Sequence, residues 1–155
     1  EPFRRRVRPA RQIREEPANL EAGFGKLLSE HEVETEDYLS FQRPGIQHRL
    51  FADLRAGRIP VEIELDLHGL TTAHAQDLLA EFLRHCQRHR LRCVQIIHGK
   101  GRGSEERQPV LKQKVNLWLR QRQDVLAFCS ALRRDGGTGA LYVLLRPAKP
   151  KARTP

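Results

Sequence analysis

A change of hydrophobic period within one short stretch constrains this chain more than any other feature. From Val61, the residues Glu62, Ile63, Glu64, Leu65, Asp66, Leu67 and His68 alternate polar and apolar, as a strand with one buried face does. Ile63, Leu65 and Leu67 then face a core, and Asp66 and His68 share the opposite face. After Gly69 the period lengthens. Ala75, Leu78, Leu79, Phe82, Leu83 and Cys86 fall at i, i+3, i+4, i+7, i+8 and i+11, one stripe of a helix that starts at a Thr71 or Thr72 cap and runs to about His89. Leu91 to Ile97 is β-rich again and ends in His98-Gly99-Lys100-Gly101-Arg102-Gly103-Ser104, a strand feeding a glycine-rich loop. A strand, a helix of that length and a second strand predict a parallel pair with a right-handed crossover.

Pro109 suits the first turn of another helix, with the stripe Leu111, Val115, Trp118 and Leu119. Asp124 to Ser130 and Ala140 to Leu145 read as two further strands joined through Asp135-Gly136-Gly137-Thr138-Gly139. The order over residues 61–146 is β-α-β-α-β-β. The alternating first strand predicts helices on one sheet face only, hence an α/β fold of the two-layer, α+β-like sandwich kind. Ahead of it, Ile46, Leu50, Phe51 and Leu54 have helical spacing, and Gly57 is a C-terminal stop. This short helix leads into the domain and docks on it or on a partner.

Charge divides the chain further. The 155 residues carry a formal net charge of +9, which makes a polyanion the first partner to consider. Residues 1–14 contribute +5, residues 15–60 contribute −4, residues 61–146 contribute +5 and the tail contributes +3. The organisation expected is a disordered basic arm (1–17), an extension with short helices (18–60), the α/β domain (61–146) and a basic tail (147–155). No apolar run is long enough to span a bilayer and no signal peptide is visible, so a soluble, cytoplasmic monomer with no membrane partner is expected. Cys86, Cys93 and Cys129 are an odd number in apolar surroundings and read as core residues rather than a disulfide framework. The sequence holds no Met, so the numbered chain is expected to begin inside a longer polypeptide.

If the first two strands are parallel, His68 and His98 lie at one sheet edge, where open α/β sheets bind ligands. Asp66, Lys100, Arg102 and the backbone N–H groups of Gly99 and Gly101 sit around them. Two imidazoles beside fixed cations suit phosphodiester cleavage: one takes a proton from the attacking hydroxyl, the other gives one to the leaving oxygen, and the cations offset the charge of the phosphorane. Asp66 either orients His68 or itself serves as base. Gly136 and Gly137 bring further amides toward a phosphate. His85 and His89 are i, i+4 but lie among arginines on a wet face and read as structural rather than metal-binding. The loop is neither G-x-x-x-x-G-K-[ST] nor G-x-G-x-x-G, which disfavours a nucleoside triphosphate or dinucleotide site.

In combination, Leu65-Asp66-Leu67-His68-Gly69-Leu70, His98-Gly99-Lys100-Gly101 and Gly136-Gly137-Thr138-Gly139-Ala140 resemble the Smr (small MutS-related) domain over residues 61–146. Phe41-Gln42-Arg43-Pro44-Gly45-Ile46-Gln47 and Leu54-Arg55-Ala56-Gly57 are similar to the extension of small stand-alone bacterial members. The resemblance implies a βαβαββ sandwich similar to the C-terminal domain of translation initiation factor three. It also implies endonuclease activity, DNA nicking in some members and messenger RNA cleavage at stalled ribosomes in others. It carries Asp66, His68, Gly69, His98, Gly99, Lys100 and Gly101 over as the active site. No cofactor is required on this reading. A divalent ion such as Mg2+ is compatible but not indicated, because one carboxylate and two imidazoles make a poor two-metal site. Metal-independent acid–base cleavage favours RNA, whose 2′-hydroxyl is an internal nucleophile. The alternative is a non-catalytic module that binds nucleic acid or the ribosome through the same edge.

Overall fold

The computed structural model describes residues 3–5, 36–100 and 110–148. Most of the basic arm, residues 18–35, the loop segment with Gly101, Arg102 and Pro109, and the tail from 149 onward lie outside the described residues. Among the described residues, six strands and three α-helices follow in chain order: β1 (Phe3–Arg5), β2 (Ser40–Gln42), α1 (His48–Arg55), β3 (Ile63–Asp66), α2 (Thr72–Arg88), β4 (Cys93–Ile97), α3 (Val110–Arg120), β5 (Val125–Ser130) and β6 (Ala140–Leu145). They form one mixed sheet of order β1-β3-β4-β6-β5-β2. β3 and β4 are parallel, with Asp66 opposite Ile97, and the other pairings are antiparallel.

Each element follows from its sequence. Thr71 caps α2 by accepting the His74 amide at 3.2 Å, satisfying one of the donors that a helix start leaves open. The α2 stripe Ala75, Leu79, Phe82, Leu83 and Cys86 is buried, as its spacing predicts. It packs with Val115 and Leu119 of α3 on Leu65, Ile96, Phe128 and Val143 of the sheet. β4 and β6, flanked on both sides, are apolar almost throughout and buried almost throughout.

Three features differ from the sequence expectation. The second sheet face is also covered: Phe51 and Leu54 of α1 pack on Ala127, Cys129, Tyr142 and Leu144 in a second core. The strict alternation of β3 did not report this because α1 covers β5 and β6 and leaves β3 open, so Asp66 and His68 remain exposed. In α3 the buried residues are Lys112, Val115, Asn116 and Leu119, with Leu111 and Trp118 only partly covered. The helix is thus rotated toward Lys112 and Asn116. Within the arm expected to be disordered, Phe3–Arg5 pairs antiparallel with β3, because Phe3 finds apolar and aromatic cover on α2, with ring centroids 5.4 Å from Phe82 and 5.2 Å from His85. No helix among the described residues is long and apolar enough to cross a membrane.

Candidate active site

The sheet edge at the C-terminal ends of β3 and β4 gathers the three glycine-bearing motifs. Leu67 N–H donates to the Ile97 carbonyl at 2.7 Å, which extends the parallel pairing past Asp66. The chain then turns at Gly69, whose φ is +77°. Asp66 and His68 emerge on the open face. One carboxylate oxygen, Asp66 Oδ1, accepts both the His68 backbone N–H at 3.1 Å and the His68 Nδ1 at 2.5 Å. That bond places the proton on Nδ1 and leaves Nε2 as the nitrogen available to a ligand. The His68 side chain is 68% exposed.

Gly99 fits the two strand ends together. Its φ is +82°, and a Cβ there would stand 3.1 Å from His68 Cβ. Any side chain at this position would push the two motifs apart. Gly139 plays the same part for the third motif, since a Cβ would meet Lys100 Cγ at 3.2 Å. Its carbonyl accepts the N–H groups of His98 and Gly99 at 3.1 and 2.9 Å. The turn itself is braced from below: Tyr142 donates its hydroxyl proton to Asp135 Oδ2 in a short bond, and Gln95 Nε2 donates to the Asp135 carbonyl at 2.6 Å.

His98 is at this edge but differs from His68 in every respect. Its ring is buried, with 3% exposure, and its Nδ1 donates to the Gly99 carbonyl at 2.7 Å. Nε2 is covered and has no partner among the described residues. Burial pushes its pKa down to about 4, and the nearby Lys112 ammonium pushes the same way against the Gly99 bond. At neutral pH the ring is uncharged, with no proton to spare for a leaving group. The expected division of labour between two accessible imidazoles is therefore not what the geometry presents.

The glycine amides also depart from the expectation that they cradle a phosphate. Gly99 N–H is bonded to Gly139, Gly136 N–H to the Arg133 carbonyl and Gly137 N–H to the Leu132 carbonyl. These donors are spent inside the fold, because the tight turns close on themselves. Lys100 remains the described cation at the edge, its Nζ 3.8 Å from Glu36 Oε1. Gly101 and Arg102 lie outside the described residues.

Sequence reading passed over Lys112 and Glu36. Lys112 is wholly buried beneath the edge, and Glu36 reaches both Lys100 and the Thr138 hydroxyl. The signal for Lys112 was present: 112, 115, 116 and 119 form a helical stripe in which a lysine is out of place. Among the described residues no group of three or more His, Cys, Asp and Glu is arranged to hold a metal ion.

With that geometry established, comparison with known proteins is decisive at the family level: residues 65–146 match the Smr domain. The chain belongs to the Smr domain family. A ribosome rescue factor SmrB of Pectobacterium atrosepticum is 36% identical, the match covering 93% of this chain and 77% of that protein. A probable DNA endonuclease SmrA of Escherichia coli is 37% identical over 70% of this chain and 58% of its own length. The crystal structure of YdaL, a stand-alone small MutS-related protein from Escherichia coli, is 34% identical. Its TM-score is 0.64, and the match covers 74% of this chain and 87% of that one. The Smr segment starts inside β3, so the elements before it, α1 included, pack on the domain as additions.

Proposed function

We propose that this chain is an endonuclease that cuts nucleic-acid phosphodiesters in the cytoplasm, with RNA as its preferred substrate. The observation that carries the reading is the exposed His68 ring, held through Nδ1 by Asp66. His68 Nε2 takes the proton of a 2′-hydroxyl as that oxygen attacks the adjacent phosphorus. The Asp66 carboxylate balances the charge the imidazole gains, as the orienting carboxylate of a catalytic triad does. Lys100 offsets the charge of the phosphorane, and the leaving 5′-oxygen takes its proton from solvent at this open edge. His98 keeps a different part: neutral and buried, it fastens the Gly99 carbonyl and so the hinge against which His68 rests.

A second reading, a non-catalytic module binding RNA or the ribosome, draws on the internal use of the glycine amides and on the name ribosome rescue factor carried by relatives. One experiment separates them. The full chain is incubated with end-labelled single-stranded RNA, with supercoiled DNA and with translating ribosomes, and any product ends are analysed. Cleavage of RNA to a 2′,3′-cyclic phosphate is expected, with His68→Ala losing about 100-fold or more of the rate. Salt-sensitive binding without cutting selects the second reading, and equal cleavage by the variant removes His68 from the chemistry.

A further inference from the structure

Residues 36–43, which precede the matched domain, are fastened to both ends of α3. At one end, Lys112 Nζ donates to the Asp37 carbonyl at 2.5 Å. At the other, Arg43 donates to the carbonyls of Val125 at 2.7 Å, Arg122 at 2.5 Å and Arg120 at 3.1 Å, where the helix runs out. Between them, Leu39 N–H donates to Ser130 Oγ at 2.8 Å and the Leu39 carbonyl accepts Ser130 N–H at 2.9 Å. The start of this strap lies over the active edge, where Glu36 accepts from Thr138 Oγ1 at 3.3 Å and stands 3.8 Å from Lys100 Nζ.

We propose that Lys112 is a positioning residue of the active edge: its buried ammonium pins residues 36–39 across the edge, and the strap in turn holds Lys100 and the Gly136–Gly139 turn in register with His68. The kinetic part of this proposal rests on the endonuclease reading; the structural part does not. An ammonium under a sheet edge carries a desolvation cost that an apolar residue at the same stripe position does not incur. Packing alone therefore gives no reason for a lysine. Nor is Lys112 placed to touch a phosphate, being fully buried. Among the described residues, the charged groups that act on it are Asp37 and Glu36 on the strap and Lys100 after β4, with the neutral ring of His98 also nearby at the end of β4. Burial pushes Lys112 down to about 8 while the two carboxylates oppose the shift, so the group is mainly charged at neutral pH.

The test compares Lys112→Met with Lys112→Gln, which keeps a donor for the Asp37 carbonyl without the charge, both in the full chain. Cleavage kinetics are measured beside the amide resonances of Glu36, Gly99, Thr138 and Gly139. The Met variant is expected to lower kcat about tenfold with KM changed less than about twofold, and to shift those resonances. The Gln variant is expected to recover part of both effects. Wild-type kinetics in the Met variant, or unmoved resonances, make Lys112 a packing residue and overturn the proposal. If the Met variant does not fold, the Gln variant is judged by the same two readouts. If the wild type cuts nothing, the endonuclease reading falls, and the resonances still decide whether Lys112 positions the strap.

Discussion

His68 and His98 show how far environment divides two identical side chains on adjacent strands. One ring stands in solvent against a carboxylate; the other is enclosed, bonded to a carbonyl, and pushed to a pKa of about 4 from the ordinary 6.5. That depression has a measurable consequence for stability. The unfolded chain binds a proton on this histidine below about 6.5, whereas the folded chain does so only below about 4. Between those values the unfolded state carries more protons, so stability falls as the pH is lowered from 6.5 to 4 and then levels off. The contribution at stake is about 3 kcal/mol, at roughly 1.4 kcal/mol per pH unit. Unfolding free energies of the wild type and of His98→Gln measured across this window should diverge, the variant losing less on acidification. Parallel curves would mean that His98 titrates alike in the folded and unfolded chain, so that burial does not depress its pKa. Sequence placed both rings at one edge, because parallel strands bring their ends together. It did not distinguish them, because burial depends on tertiary packing around the end of β4, and no local pattern encodes that.

Helix α1 had two possible partners on its sequence pattern, the domain or another molecule, and its contacts decide for the domain. Leu54 is 1% exposed and Phe51 is 4% exposed, packed on the face of β5 and β6 opposite α2 and α3. Leu54→Ala removes a buried side chain from this second core and should cost about 2–5 kcal/mol in denaturant unfolding. The rate per folded molecule should hold, since α1 packs on β5 and β6 whereas the Asp66–His68 pair stands at the end of β3. A loss below about 0.5 kcal/mol would mean that α1 detaches in solution. The elements legible in sequence were those with a long, uninterrupted period: the α2 stripe with its Thr71 cap, the apolar run of β4, and the order of strands and helices over 61–146. β1 and β2, three residues each, escape such reading because a strand that short has no period of its own and exists through pairing and cross-strand packing. α3 was legible as a helix but not in rotation, since the Leu111 to Leu119 stripe and the Lys112 to Leu119 stripe overlap. The hydrogen bond to the Asp37 carbonyl gives one reason why the charged residue turns inward.

At the scale of the whole molecule, the net charge of +9 is divided between a basic arm and a basic domain, separated by an acidic stretch. The acidic stretch is not merely a spacer, since Glu36 within it reaches the active edge. The arm cannot simply be deleted to ask what its arginines do, because Phe3 packs on α2 and Phe3–Arg5 covers the open edge of β3. Exposing that edge would present unpaired backbone groups to other chains. Replacing Arg4, Arg5, Arg6, Arg8, Arg11 and Arg14 by Gln removes the charge and keeps Phe3. If all six meet phosphates, the slope of log affinity against log salt on single-stranded RNA should become shallower by up to about 4, at roughly 0.7 per neutralised phosphate. Binding at low salt should weaken while kcat at saturating RNA is retained, because these residues do not carry the chemistry. An unchanged slope would show that the +5 of residues 61–146 holds the substrate alone. A shallower slope accompanied by a fall in kcat would mean that the arm also fixes where the strand lies relative to His68.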